Sequence, residues 1–485
     1  MGDIKVLFWF DVEDFINPQS EEALVGILDL LDSRGIAGIF KFVGEKIRQL
    51  EAHGRTDIIE RLSRHEVGYH TNWHSVPPVV TEYLEPLGFR EGTDEFERRE
   101  EEGQRDLERI SGQPVICYGQ PGQAWAPQVF PVLAKWGIRT YIDGHDQISL
   151  NQRPFWYGGL LNLTSLVGLM GMPLEEGALE PAKRRFDELC EMQKDEDIGL
   201  ISIVYHPTEF VFAEFWDAVN FSGGKHPPPS AWVKPAARPA GDMQRYLDML
   251  GEFVDYTLSR EGVSYVMTGQ LLAVERTDNR ALSDEEVRRF AGLIGDQLNF
   301  VVDGTRNLSA SELFWVFRQH LLGEESIPQL VYGPEREIGD ELPGTVPGET
   351  VEASQESQEV QRVTAQDGGA ARVQLPGLYV QDLLNALKDE LPTVCGFRQL
   401  PDFFVVGGHK VSPATMTCTM AAVIREGRQA EAPLQWISGQ LAAGRYSSTS
   451  GEWTKWWPIF TPDLKVPGIL ELARLQTWTL KPALL

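Results

Sequence analysis

Residues 1–275 alternate between short apolar runs and amphipathic stretches, and this rhythm limits the chain to few architectures. "IKVLFWF" (4–10) has the continuous apolarity of a buried strand, and "EEALVGILDLLDSRG" (21–35) has helical periodicity closed by Gly35. "IAGIFKFVG" (36–44), "RTYIDG" (139–144), "IGLISIVYH" (198–206) and "VSYVMTG" (263–269) read as further strands. "APQVFPVLAKWG" (126–137) and "MQRYLDMLGEFVDYTLSREG" (243–262) read as helices between them. Strands alternating with helices pair in parallel through right-handed crossovers, so an α/β barrel or doubly wound sheet is expected.

After about residue 275 the rhythm changes, and residues 276–485 are expected to form a smaller, mainly helical second domain. "LSASELFWVFRQHLLGEESIPQLV" (308–331) and "VSPATMTCTMAAVIREGRQAEAPL" (411–434) share one plan: an apolar residue, a Ser N-cap, a helix, then a polar turn ending in Pro. They read as two pseudo-repeats that pack against the first domain. Between them, 334–370 is acidic and polar with little apolar periodicity, and reads as a flexible excursion.

The chain has 485 residues and a formal net charge of −27, with 71 acidic against 44 basic side chains. Such a surface repels phosphate backbones and anionic headgroups, so nucleic acid and membranes are poor partners. An uncharged substrate, or one with a positive group, suits it better. The four cysteines are few and scattered, with no CxxC pair, which fits reduced thiols in a cytoplasmic protein. "MGDIKVLFWF" enters a strand directly, without the pattern of a cleavable leader, and no apolar run reaches membrane-spanning length.

The chemistry is concentrated in a few places. "HEVGYHTNWHS" (65–75) holds three of the nine histidines. His70 and His74, four apart, could present two imidazoles from one helical turn to one metal ion. "FWFDVEDFI" sets Asp11, Glu13 and Asp14 at the carboxyl end of the first strand, where α/β folds build sites. Three acids there repel one another unless a cation or a buried role justifies them. Two histidines and a carboxylate suit zinc or a similar divalent metal, and a remaining carboxylate can serve as a base. His206 ends the strand "LISIVY" and is placed as an acid–base group.

"FDVED", "HEVGYHTNWHS", "YGQPGQ" (118–123), "YIDG" (141–144) and "VYHP" (204–207) follow in that order, and this set resembles the five motifs of the polysaccharide deacetylases, the NodB-homology carbohydrate esterases. The resemblance covers about the first 275 residues. It implies a distorted (β/α) barrel and a bound divalent metal, commonly zinc, that helps to remove N-acetyl groups from a small-molecule or oligosaccharide substrate. It also implies that Asp11 is the base, that His70 and His74 are ligands, and that the third ligand is Glu13 or Asp14. Glu13 is preferred, because alternate residues of an extended segment share a face. His206 matches the acid that protonates the leaving amine, oriented by Asp143 or, failing that, Asp146. A backbone N–H near Tyr118 and Gly119 would join the metal in holding the oxyanion.

This chain departs from the family at the third motif, where an arginine usually stands near the base. Here the region has Tyr118 or Gly119, and Gln120 or Gln123 is left to hold Asp11. The aromatic loop 214–232 offers Trp216 or Trp232 as a platform for a sugar ring, while His145 and His226 read as structural or exposed and His65 matches no ligand position. The leading expectation is therefore a metal-dependent amide hydrolase removing acetyl from an N-acetylated sugar or glycan. A cyclic amide or ureide hydrolase, as in allantoinase-like relatives, is the alternative, followed by a non-catalytic carbohydrate-binding barrel. Homo-oligomerisation is left open.

Overall fold

The computed structural model describes residues 3–340, 361–363 and 372–485. Its central sheet contains β1 (Asp3–Val12), β2 (Ile39–Phe42), β3 (Glu66–Tyr69), β4 (Cys117–Tyr118), β5 (Thr140–Ile142), β6 (Phe155–Tyr157), β7 (Leu160–Leu163), β8 (Leu169–Met170), β9 (Ile198–Tyr205) and β10 (Val263–Val266). Eight strands run parallel in the order β7-β5-β4-β3-β2-β1-β9-β8. β10 pairs with the first half of β1, and β2 pairs with the second half on the same edge. β6 and a C-terminal strand, Lys481–Pro482, extend the β7 edge antiparallel.

The two faces of β1 explain how the sheet curls. Leu7 and Trp9 join an inner cluster with Ile39, Cys117, Ile142, Leu161, Leu163 and Leu200, so side chains from both ends of the strand order meet inside. Val6, Phe8, Phe10 and Val12 point outward and pack with Leu24, Ile27, Leu28 and Leu31 of the helix Gln19–Arg34. Successive strand residues face opposite sides, so one apolar run serves two cores. Among the described residues no ladder joins β7 to β8, and the sheet is a curled, open barrel.

Residues between 282 and 437 supply a second core, in which Leu313, Phe314, Phe317, Met416, Met420 and Trp436 are buried together. In each of the stretches 308–331 and 411–434 the helix follows a hairpin that lies mostly before it. Val301–Asp303 and Arg306–Leu308 precede Ala310–Leu322, and Phe404–Val406 and His409–Val411 precede Pro413–Glu426. Ser309 and Ser412 cap the two helices by accepting the N–H groups of Glu312 and Thr415. This part is mixed rather than mainly helical, because the Gly-Thr step in "VVDGTRNL" and the Gly-Gly step in "VVGGHKV" turn short apolar runs into hairpins.

Further along, Trp453, Ile459, Phe460, Ile469, Leu472 and Leu480 return to the core of the barrel. Of the stretch 334–370, residues 334–340 are held by contacts such as Arg474–Glu337 and the N–H of Ser412 on Asp340 (2.7 Å). The rest, apart from 361–363, lies outside the described residues. No helix of the described residues is long and apolar enough to cross a membrane.

Candidate metal centre

Alternation along β1 carries the inward face from Trp9 to Asp11, and Glu13 follows just past the strand end. Lys41 of β2 stands in register with Asp11. His70 is the first residue after β3 and His206 the first after β9. The carboxyl ends of four neighbouring strands thus deliver Asp11, Lys41, His70 and His206 to one place, with Glu13 and His74 on the loops that follow.

His70 and His74 do not share a helical turn. They lie on a loop in which Thr71 (φ 64°) and His74 (φ 54°) take the left-handed conformation, which costs non-glycine residues energy and needs support. Glu100, buried on the helix Phe89–Ser111, gives that support. Its Oε2 accepts the N–H of Asn72 at 2.6 Å and the hydroxyl of Tyr69 at 2.7 Å. The N–H groups of Gly44 and Glu45 donate to Thr71 and Asn72 at 2.9 and 3.0 Å. The imidazoles still converge, with ring centroids 5.0 Å apart.

One ligand atom from each of Glu13, His70 and His74 lies within 4.8 Å of the others. His70 Nδ1 is 2.8 Å from the carbonyl of Gly119, and His74 Nδ1 is 2.9 Å from Ser75 Oγ, so both Nε2 atoms face inward. His74 Nε2 is 2.8 Å from Glu13 Oε2, yet neither Nε2 nor Glu13 Oε1 makes a well-aligned hydrogen bond. Buried lone pairs gathered without donors are costly, and a divalent cation satisfies all of them, so the donor set fits zinc or a metal like it. Asp217 stands behind His74, 3.8 Å from Nδ1, and burial pushes its carboxyl up to about 6.

Asp14 is turned away from this cluster. Its Oδ1 accepts the N–H groups of Ile16 and Asn17 at 3.2 and 3.0 Å, and its Oδ2 accepts Thr208 Oγ1 at 3.1 Å. An Asp at the start of a turn bonds its own chain two and three residues on, which occupies the lone pairs a metal would need.

Asp11 is held by Lys41 and by neither glutamine. Lys41 Nζ lies 3.0 Å from Asp11 Oδ1, 3.0 Å from Asp143 Oδ2 and 4.1 Å from the centre of the Trp9 ring. A Cβ at Gly119 would fall 2.2 Å from Lys41 Nζ, so the missing side chain at 119 is what makes room for the ammonium. Burial raises the Asp11 carboxyl, but Lys41, His70 and His206 outweigh burial and hold it well below the ordinary carboxylate range. Gln120 instead accepts the hydroxyl of Tyr141 at 2.6 Å and donates to the carbonyl of Gly122 at 3.2 Å.

Asp143 therefore pairs with Lys41 and not with His206, and burial pushes its carboxyl up to about 6. The partner of His206 is Glu209, whose Oε2 is 2.9 Å from Nδ1 and also accepts the His206 N–H at 2.9 Å. His206 Nε2 points toward Asp11 Oδ2 at 3.5 Å. Burial lowers the His206 imidazole, yet Glu209 and Asp11 raise it well above its ordinary value, so the ring carries a proton near neutrality.

The proposed substrate residues fare unevenly. Trp216 is fully buried and packs on Phe15 and His74, so neither face is open to a sugar. Tyr118 is fully buried between Tyr69 and Tyr141. The N–H of Gly119 donates to Tyr69 at 3.2 Å and is not available to an oxyanion. His65 is structural, its Nδ1 accepting the Gly38 N–H at 3.1 Å, and His145 is buried against Trp125 and Tyr141.

Sequence reasoning missed Lys41, Glu209, Asp217 and Trp457. A lysine in the apolar run "IFKF" and a glutamate three after the histidine in "HPTE" were the signals for the first two. Trp457, whose ring lies 6.3 Å from that of His74, comes from the far end of the chain and gave none.

No family model matches this sequence, and no curated protein does. Solved structures do show likeness. A protein of Pseudomonas aeruginosa PAO1 named a probable polysaccharide deacetylase is 14% identical, with 56% of this chain and 90% of that chain covered and a TM-score of 0.37. Puue allantoinase is 15% identical over 56% of this chain and 90% of its own, with a TM-score of 0.36. The 4-alpha-glucanotransferase of Thermococcus litoralis is 14% identical over 56% of this chain and 41% of its own, with a TM-score of 0.39. Three names describe proteins of different activity, so function rests on the site itself.

Proposed function

We propose that this protein is a metal-dependent hydrolase of a non-peptide amide bond, acting on an N-acetylated sugar. One observation carries the reading. A buried, unsatisfied Glu13–His70–His74 donor set lies beside a carboxylate and a protonated histidine whose proton-transfer atoms are 3.5 Å apart. Glu13, His70 and His74 would hold the cation, which when bound polarises a carbonyl and acidifies water.

The chain's own groups supply the rest. Asp11, kept ionised by Lys41, takes a proton from the attacking water at its Oδ2 side. His206 carries a proton on the Nε2 that faces the site, with Nδ1 anchored on Glu209, and gives it to the departing nitrogen. The closeness of the two groups lets the proton collected by Asp11 return to His206 after turnover. The strong likeness of Asp11 and His206 to a base and an acid separated by environment argues against a purely binding role.

The deciding experiment is elemental analysis followed by a screen for acetate release from N-acetyl sugars. Bound divalent metal with acetate release supports the reading. Metal with ring opening of a cyclic ureide and no acetate from any sugar would move the substrate to the second class. A metal-free, inert protein would refute the hydrolase.

A further inference from the structure

The centre is almost sealed. The side chains of Asp11, Glu13, His70 and His74 are 8%, 4%, 1% and 2% exposed, while His206 is 23% exposed. Part of the seal comes from the far end of the chain. The segment 456–461 is pinned to the connections that follow three different barrel strands. The N–H groups of Gly223 and Gly224, beyond β9, donate to the carbonyls of Pro458 and Ile459 at 2.7 and 3.1 Å. The N–H of Thr461 donates to Glu82, beyond β3, at 3.0 Å.

Beyond β4, Gly122 (φ +47°) receives the Trp457 indole. A Cβ there would lie 2.4 Å from Trp457 Cε2, so this close approach needs glycine. The same indole stands at 90° to the His74 ring. A groove of about 680 Å³, lined by Trp73, Val79, Tyr83, Arg98, Pro228 and Trp232 among others, touches the centre at His74 alone. An internal unit of a polymer can react only if the chain on both of its sides lies clear of the protein. Beside His74 the Trp457 indole of the pinned segment takes up that space.

We infer that Trp457 is a specificity-determining residue that restricts the centre to small N-acyl compounds and free chain ends, and that excludes internal units of a polymer. This rests on the reading of the site as a metal-dependent amide hydrolase.

The test uses the zinc-loaded full chain and binding measured by calorimetry, so that it does not depend on turnover. The probes are acetohydroxamic acid and poly(acrylohydroxamic acid), which present the same chelating group free and in mid-chain. Wild type should bind the small probe at least about thirtyfold more tightly per hydroxamate, and Trp457→Ala should narrow the gap to about threefold or less. Trp457→Phe should fall between them, and Trp456→Ala, at a residue 70% exposed, should keep the wild-type gap. Equal binding of both probes by wild type would overturn the inference without any variant. So would an unchanged gap in a Trp457→Ala protein that still holds its zinc. Failure of both probes to bind would instead remove the metal-centre reading on which the inference depends.

Discussion

Lys41 and Asp11 form an ion pair inside the barrel, with Nζ 3.0 Å from Oδ1 and the lysine side chain fully buried. The same ammonium serves Asp143, so one cation separates two buried carboxylates. Lys41→Met leaves both acids without it, and loss of one partner of a buried pair costs about 3–5 kcal/mol. Chemical denaturation of the variant should show a loss of that size. The double variant Lys41→Met, Asp143→Asn removes one charge of each sign and should recover at least half of it. A Lys41→Met protein as stable as wild type would mean that the pair contributes nothing.

His206 should govern the alkaline limb of activity. Its raised value means that the protonated donor survives above the ordinary imidazole range and is lost only as pH rises through the folded value. The groups that raise it are Glu209 on its own turn and Asp11 and Glu13 from β1 and the residues after it. Glu209→Gln removes the nearest of these, and the alkaline midpoint of kcat/KM should move down by about one pH unit or more. An unmoved midpoint in an active Glu209→Gln enzyme would show that another group sets this limb.

Glu100 makes a stability prediction away from the chemistry. Burial raises its carboxyl from 4.5 to about 7, despite the hydrogen bonds from Tyr69 and Asn72. As pH rises between those values the unfolded chain releases this proton and the folded chain keeps it, so folding weakens by up to about 3 kcal/mol. Glu100→Gln cannot ionise and should escape that loss. Its Tm relative to wild type should be higher at pH 8 than at pH 5, and a constant difference would contradict the assignment.

The barrel was legible because its strands are continuous apolar runs that bury both faces, and because carboxyl-end residues such as Asp11, His70 and His206 interrupt them. The partners of those residues were not legible. Asp14 and Glu13 are adjacent acids in the sequence, and only the turn that consumes the Asp14 lone pairs separates their roles. Asp143 looked free to orient His206 because Lys41, 102 positions earlier, could not be seen to claim it. His70 and His74 have helical spacing, but left-handed Thr71 and His74 close their loop, and Glu100, the residue that supports it, lies on a different element. The C-terminal hairpins were hidden by their two-residue turns, which are short against the helical stretches beside them.

Metal content measured by elemental analysis in wild type and four single variants tests the proposed centre most directly. Wild type, Asp14→Asn and Asp11→Asn should each hold about one divalent ion per chain, because neither aspartate is placed as a ligand. Glu13→Gln and His70→Ala should lose most of it. Assayed on the same samples, Asp11→Asn should keep its metal and lose about a hundredfold or more in kcat, the scale of a lost general base. Full metal in Glu13→Gln together with loss of metal in Asp14→Asn or Asp11→Asn would contradict this division of ligand, base and structural acid.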